Sequence, residues 1–379
     1  MMKVAICHPF LYHKSGADKV ILKIAQHYNA KVYCVKFDRE ATFEGFENVE
    51  VLNPPMKSIL NPLLSLLPLR VRDSIIAGIT FFFAKLEPYD AIITFGTPSE
   101  WIANRNKNVI WYCLSPNREV FDLHQERQAN RSTPQKILFE LFSIPYSLVE
   151  NYVIPKMKKI FSISHTVEQR LNKYLNIETE ILYPAIAPSE FSCKSYNKFF
   201  FYPSRFAPEK RFEYVIEAFR EFKKHDTNSW KLILAGAVLK ERKEQQEYYE
   251  TIAKARHGSS GCIEVFPNVS NMEMSFFYSN CGAVLFAGRD EDFGLIPLEA
   301  GASSKPIISV NEGGARETII DGVTGFLVDS ELGMADKMQF VSENTDWARE
   351  MGEAGNEHIL SKFSWDAFFE RLDNEIKKG

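Results

Sequence analysis

Little in this 379-residue chain points to metal or dithiol chemistry. Its six cysteines, at 7, 34, 113, 193, 262 and 281, lie far apart, and none stands in a C-x-x-C pair. That spacing excludes the common zinc and redox signatures. Cys7, Cys34 and Cys113 fall in apolar, strand-like runs, so buried thiols in a reducing compartment are expected. No uninterrupted apolar run reaches the ~18 residues that a membrane-spanning helix needs. The first strand, Met1 to His8, meets Pro9 too early for a signal peptide. A cytoplasmic location is therefore expected. Tandem repeats, low-complexity tracts and nucleic-acid-binding motifs are missing too, so no nucleic-acid partner is expected.

What the chain does contain is ordinary globular material: 45% apolar and 25% charged residues. Its length predicts two domains, because a single core rarely grows past ~250–300 residues. Charge is uneven. Residues 1–185 carry 22 basic against 18 acidic side chains, whereas the remainder carries 23 against 31. A basic first half suits an anionic surface or a lipid phosphate. Two apolar stretches, 57–85 and 137–159, sit beside Lys57, Arg70, Arg72 and Lys156–Lys159. Leucine and phenylalanine flanked by basic residues suit helices lying in a bilayer interface. Peripheral contact with the inner face of the cytoplasmic membrane is one expectation; plain core helices are the other.

Short β-rich runs alternate with helical patterns throughout, which predicts an α/β chain with two doubly wound parallel sheets. The first domain is expected over 1–186. The second is expected over 187–362, after a polar linker beginning at Ala187. An amphipathic helix over 363–379, capped by Ser364, is expected to rejoin the first domain.

The most informative stretch is Glu291-Asp292-Phe293-Gly294-Leu295-Ile296-Pro297-Leu298-Glu299. A strand (Ala283 to Phe286) leads in, and a helix start separates two carboxylates eight positions apart. Ligands of open α/β sheets bind at the carboxyl ends of strands. Amides around Gly294 and Leu295 suit a phosphate, while the carboxylates suit sugar and ribose hydroxyls. Another strand, Phe199 to Tyr202, opens into Pro203-Ser204-Arg205-Phe206-Ala207-Pro208-Glu209-Lys210-Arg211. Cations before a helix oppose its dipole and call for an anion. A diphosphate would supply it, gripped by Arg205 as a fork and by Lys210 as a point charge. At the amino terminus, His8-Pro9-Phe10 leads to Ser15-Gly16-Ala17-Asp18-Lys19-Val20, where Gly16 allows close backbone approach.

With Glu312-Gly313-Gly314 and Gly322 to Val328 in register, these segments resemble glycosyltransferase family 4, retaining enzymes of GT-B fold. Trp111-Tyr112-Cys113-Leu114-Ser115-Pro116-Asn117-Arg118 is similar to a pattern of its mannosyltransferase-like branch. The resemblance implies two Rossmann-like domains facing a central cleft. It also implies transfer of a hexose, mannose among the options, from a GDP- or UDP-linked donor to a glycan or lipid-linked acceptor. Neither cofactor nor metal would be needed. Glu291, Arg205 and Lys210 take the catalytic roles it implies. Gly16, Phe293, Gly294, Leu295, Glu299 and Val269 would border the donor, with Glu299 on the ribose. His8, Leu114, Arg118 and His124 would face acceptor or sugar. Leu114 stands where the branch has histidine, and Ser15 where the family has glycine. A leucine suggests a donor lacking one hydroxyl, a substitute such as His13 or His124, or slow turnover. Competing readings are another GT-B enzyme, such as a sugar-nucleotide epimerase, and a non-catalytic nucleotide-sugar-binding subunit.

Overall fold

In the computed structural model, all residues are described except 1, 13, 54–68, 130, 240–242, 256–260 and 379. The chain forms two compact units, Met1–Pro184 with Phe369–Gly379, and Ala185–Phe368.

The first unit holds β1 (Val4–Leu11), β2 (Lys31–Phe37), β3 (Val51–Leu52), β4 (Ala91–Thr94), β5 (Val109–Cys113), β6 (Lys159–Ser162) and β7 (Glu180–Ile181). They form one parallel sheet in the order β3-β2-β1-β4-β5-β6-β7. Strands β1, β4 and β5 are buried almost throughout, as expected where helices cover both faces of a parallel sheet. The helix Gly16–Tyr28 starts with a capping box: Ser15 Oγ accepts from Asp18 N–H, and Asp18 Oδ2 accepts from Ser15 N–H. That exchange satisfies two otherwise orphaned donors and accounts for serine at this position. The helix Trp365–Lys377 contributes its later turns to this unit. Phe369 stacks on His27 at 3.6 Å, and Asp373 accepts from Tyr28 Oη–H at 2.7 Å.

The second unit holds β8 (Phe199–Pro203), β9 (Lys231–Gly236), β10 (Ile263–Pro267), β11 (Ala283–Phe286), β12 (Ile307–Val310) and β13 (Gly325–Val328). Its parallel sheet runs β10-β9-β8-β11-β12-β13. Both sheets are therefore doubly wound, with order reversing between β1 and β4 in one and between β8 and β11 in the other. Phe200, Phe201, Phe212, Phe219 and Trp230 build much of the second core. Burying each such ring contributes on the order of 2–3 kcal/mol.

One long helix shows how the polar interruptions of an apolar stretch are accommodated. The apolar stretch 137–159, expected to be helical though interrupted by Glu140, Pro145 and Glu150, lies largely in one continuous helix, Thr133–Val153. Ser143, Tyr146, Glu150 and Val153 form its buried face. Glu150 accepts from Trp101 Nε1–H at 2.7 Å and lies against Glu100. Burial holds both acids above the usual carboxylate range, so the inner face tolerates polar residues that the sequence placed as interruptions. Of the stretch 57–85, residues 57–68 lie outside the described residues; Leu69–Phe83 is helical.

Candidate functional site

In the second unit, the chain leaves β8 and β11 on either side of the sheet's switch point, where doubly wound sheets open a crevice. The β8 loop passes through a short 3-10 turn, Pro208–Lys210, before the helix Phe212–Lys223. The β11 loop carries Glu291. Lys210 Nζ meets Glu291 Oε2 at 2.5 Å, with the two side chains 13% and 28% exposed. Glu291 and Lys210, expected at one site from segments 81 residues apart, are thus in direct contact. Arg289 N–H donates to Glu209 O at 2.9 Å and ties the loops again. Arg205 stands in the same loop, its Nη2 donating to Glu209 Oε1 at 3.0 Å. Its Nε is buried without a hydrogen-bond partner.

The Glu291 loop is shaped from below by the turn after β12. Gly314 N–H donates to Glu291 O at 2.9 Å. A Cβ on Gly313 would lie 2.4 Å from Glu291 O, and one on Gly314 would lie 2.3 Å from Phe293 Cα. Only glycines allow this approach, so the Gly-Gly pair and the Glu291 loop are one structural device. Gly294 takes φ +81°, turning the chain into the seven-residue helix Ile296–Ala302. Amides of Gly294 and Leu295 donate to no backbone acceptor among the described residues.

Other expected donor residues are placed as follows. Phe293 is buried, its ring 6.0 Å from Phe363, so only its backbone is available to a ligand. Glu299 Oε2 accepts from Tyr278 Oη–H at 2.6 Å, a partner the sequence did not suggest. Val269 is half-buried against the core beside Asn268, whose φ is +54°. Asp290 and Asp292 flank Glu291, yet among the described residues no three His, Cys, Asp or Glu side chains converge as a metal cage.

The first unit assembles a separate group around its own switch point. His8 Nδ1 lies 2.7 Å from Phe95 O beyond β4, and its Nε2 lies 3.8 Å from Asp18 Oδ1. Asp18 is almost fully buried. Burial pushes its carboxyl up to about 7, against the lowering effect of its Ser15 hydrogen bonds. Gly16 opens the adjoining helix. Leu114 follows β5 directly and is half-buried. Arg118 Nε donates to Asp122 Oδ2 at 2.9 Å, and Arg170 Nε approaches the same oxygen at 3.4 Å. His124 is engaged by Glu140, Nε2 to Oε1 at 3.0 Å. His13 lies outside the described residues.

Sequence reasoning assigned no role to Arg211, Glu312 or Tyr278. Arg211 was visible beside Lys210, but its left-handed backbone, φ 49°, leaves no mark in a single sequence.

Residues 189–358 match the family described as Glycosyl transferases group 1. The chain is 22% identical to the alpha-1,3/1,6-mannosyltransferase of Dictyostelium discoideum, with 100% of this chain and 98% of that protein covered. The human alpha-1,3/1,6-mannosyltransferase is 24% identical over 73% of this chain and 69% of its own length. Among solved structures, Anabaena HepE in complex with UDP and glucose has a TM-score of 0.73 at 16% identity, both chains fully covered. Sucrose-phosphate synthase from Thermosynechococcus elongatus has a TM-score of 0.76 at 17% identity, covering 99% of this chain and 98% of that one.

Proposed function

We propose that this chain, a glycosyltransferase of GT-B fold, transfers mannose from a nucleotide sugar to a glycan or lipid-linked acceptor, with retention of anomeric configuration. The observation that carries the reading is the Lys210–Glu291 contact at the switch point of the second sheet. An ammonium and a carboxylate there suit a donor with two faces, an anionic diphosphate and a hydroxylated sugar. Lys210 and Arg205 take up charge on the leaving nucleoside diphosphate, aided by the Gly294 and Leu295 amides. Glu291 orients sugar hydroxyls and favours the oxocarbenium-like transition state. The C1–O bond to phosphate breaks as the acceptor oxygen bonds to C1 on the same face. The acceptor proton passes to the departing phosphate oxygen. Glu299, steadied by Tyr278, is set for the ribose. Fixed cations and amides supply the charge stabilisation, so the reaction proceeds without a divalent metal. Mannose is supported by the names of these mannosyltransferase relatives; the base, GDP or UDP, is read by backbone near Val269.

The acceptor is proposed to be met at a membrane surface. On the helix Thr133–Val153, Ile137, Leu141, Ile144, Leu148 and Tyr152 recur every three or four residues and are all exposed, Leu141 by 70%. The outward face of this helix is thus largely apolar, while its inward face carries Ser143 and Glu150 beside Tyr146 and Val153. Thr133–Lys156 is long and apolar enough to cross a bilayer, but its packed inner face suits lying in the interface. Lys158 and Lys159 bond instead to Ile376 O and Glu180. Apolar contact therefore carries more of the attachment than the basic cluster expected from sequence. Such a peripheral enzyme would work from the cytoplasmic side.

Thermal-shift screening of GDP-mannose and UDP-glucose, then hydrolysis of the stabilising donor with and without EDTA, tests the catalytic reading. An α-configured product resistant to EDTA is expected. Binding without turnover would support the non-catalytic subunit instead, and full inhibition by EDTA would overturn the metal-free mechanism.

A further inference from the structure

We infer that Arg211 is a positioning residue that sets the Lys210–Glu291 pair, with Glu312 as its partner. This rests on the reading of that pair as catalytic.

Arg211 caps the start of the helix Phe212–Lys223 in the left-handed region, φ 49° and ψ 52°. Glycine is the residue such a backbone favours, and an arginine there needs another reason. Its side chain supplies one. Nε donates to Ala287 O at 2.7 Å, at the carboxyl end of β11 where the Glu291 loop begins. Nη1 donates to Glu312 Oε1 at 3.0 Å, at the carboxyl end of β12 where the Gly-Gly turn begins. A planar guanidinium can hold two acceptors at a fixed separation, which an ammonium cannot.

Both partners of the functional pair hang from this brace. Lys210 is its immediate chain neighbour, and the Lys210 carbonyl accepts from the buried Tyr202 hydroxyl. Glu291 is reached from the opposite side. Glu312 leads into Gly313 and Gly314, which lie against the Glu291 and Phe293 backbone. Arg211 thus joins the loops that follow β8, β11 and β12 through one side chain. Half-buried, with its Nη2 buried without a hydrogen-bond partner and its Cζ 5.4 Å from the Tyr214 ring, the guanidinium is held within the protein rather than offered to solvent. Its role is to fix where the Lys210 ammonium and the Glu291 carboxylate stand when the donor arrives. Shifts of about 1 Å in such groups can cost on the order of a hundredfold in rate.

The test uses Arg211→Gly, which suits the left-handed backbone while deleting the brace, alongside Arg211→Lys and Glu312→Gln. Hydrolysis of GDP-mannose is followed, or of UDP-glucose if that is the donor the wild type cleaves. Expected for Arg211→Gly are a kcat lowered at least tenfold, a KM within threefold of wild type and an unchanged Tm. Millimolar guanidinium should restore part of its kcat, and the Arg211→Gly/Glu312→Gln double variant should be no slower than Arg211→Gly. Wild-type kcat in Arg211→Gly overturns the inference. So does a loss of activity that tracks a loss of Tm and resists guanidinium, because it assigns Arg211 to the fold alone. Lys210→Ala serves as control. If it too keeps wild-type activity, the catalytic reading of the pair fails; if it alone loses activity, only the brace fails.

Discussion

Replacing Gly314 by alanine probes the Glu291 loop without altering any side chain in it. Gly314 sits at φ −69° and ψ −13°, so alanine suffers no backbone penalty there. The cost is steric. Its Cβ would stand 2.3 Å from Phe293 Cα and 2.6 Å from Phe293 O. Ordinary carbon contacts begin near 3.4 Å, so the loop must retreat by about 1 Å, and the Gly314 N–H···O Glu291 bond must lengthen with it. The neighbour is main chain, not the flexible end of a side chain, so the shift cannot be absorbed locally. A displacement of that size in a catalytic carboxylate is worth about a hundredfold in rate, or ~2.7 kcal/mol of transition-state stabilisation. Overpacking of this kind costs ~1–3 kcal/mol in stability. The assay is kcat for donor hydrolysis, paired with a thermal melt. A clearly lowered Tm together with kcat within threefold of wild type would show that the loop yields without moving Glu291. The argument that the Gly-Gly turn sets the carboxylate would then be refuted.

Lys210→Ala and Glu291→Ala are each expected to lower kcat at least tenfold, and the double variant by much less than the product, because the two side chains act as one contact; wild-type rates in both would remove the site. Asp18→Asn should flatten the pH dependence of stability. A buried acid raised to about 7 contributes stability that is full below its unfolded range and is lost as pH rises through the folded value. Wild type should therefore lose on the order of 3 kcal/mol relative to the variant between pH 5 and 8, and parallel Tm curves would refute this. Leu141→Glu with Leu148→Glu should abolish flotation with liposomes at unchanged Tm, since both side chains are more than 60% exposed; undiminished flotation would free this helix of a membrane role. Leu114→His should shift preference between GDP-mannose and its 6-deoxy analogue, and an unchanged ratio would mean that position 114 does not touch the sugar.

The second unit was the more legible of the two, for a physical reason. Its candidate site is built largely from main chain that turns sharply or passes close to other main chain, and both demand glycine at stated positions. Gly294, Gly313 and Gly314 are therefore visible as letters, and the carboxylates they hold are visible beside them. In the first unit the work falls to side chains whose partners come from other elements. Ser15, read as a departure from the family, is a helix cap that consumes Asp18. His124, read as a stand-in for the missing histidine, is spent on Glu140. Neither pairing has a local signature except the Ser-x-x-Asp spacing, which could have been read.

The long helix Thr133–Val153 shows the same limit from the other direction. Its charged interruptions were legible, but the side of the helix they would occupy was not. Periodicity alone assigns an apolar face to the core by default. Here Glu150 goes inward because Trp101 offers it a donor, and burial holds it and the neighbouring Glu100 above the usual carboxylate range. Once the face with Ser143, Tyr146, Glu150 and Val153 is committed to the interior, the leucines and isoleucines at the complementary positions have only the outside left. An exposed apolar row is thus a consequence of how the inner face is satisfied, and it persists only if something outside the chain repays it. On the proposed reading of a lipid-linked acceptor, a bilayer surface would be the partner of matching chemistry. The same bilayer would hold the enzyme beside its acceptor while the second unit's loops supply the donor chemistry.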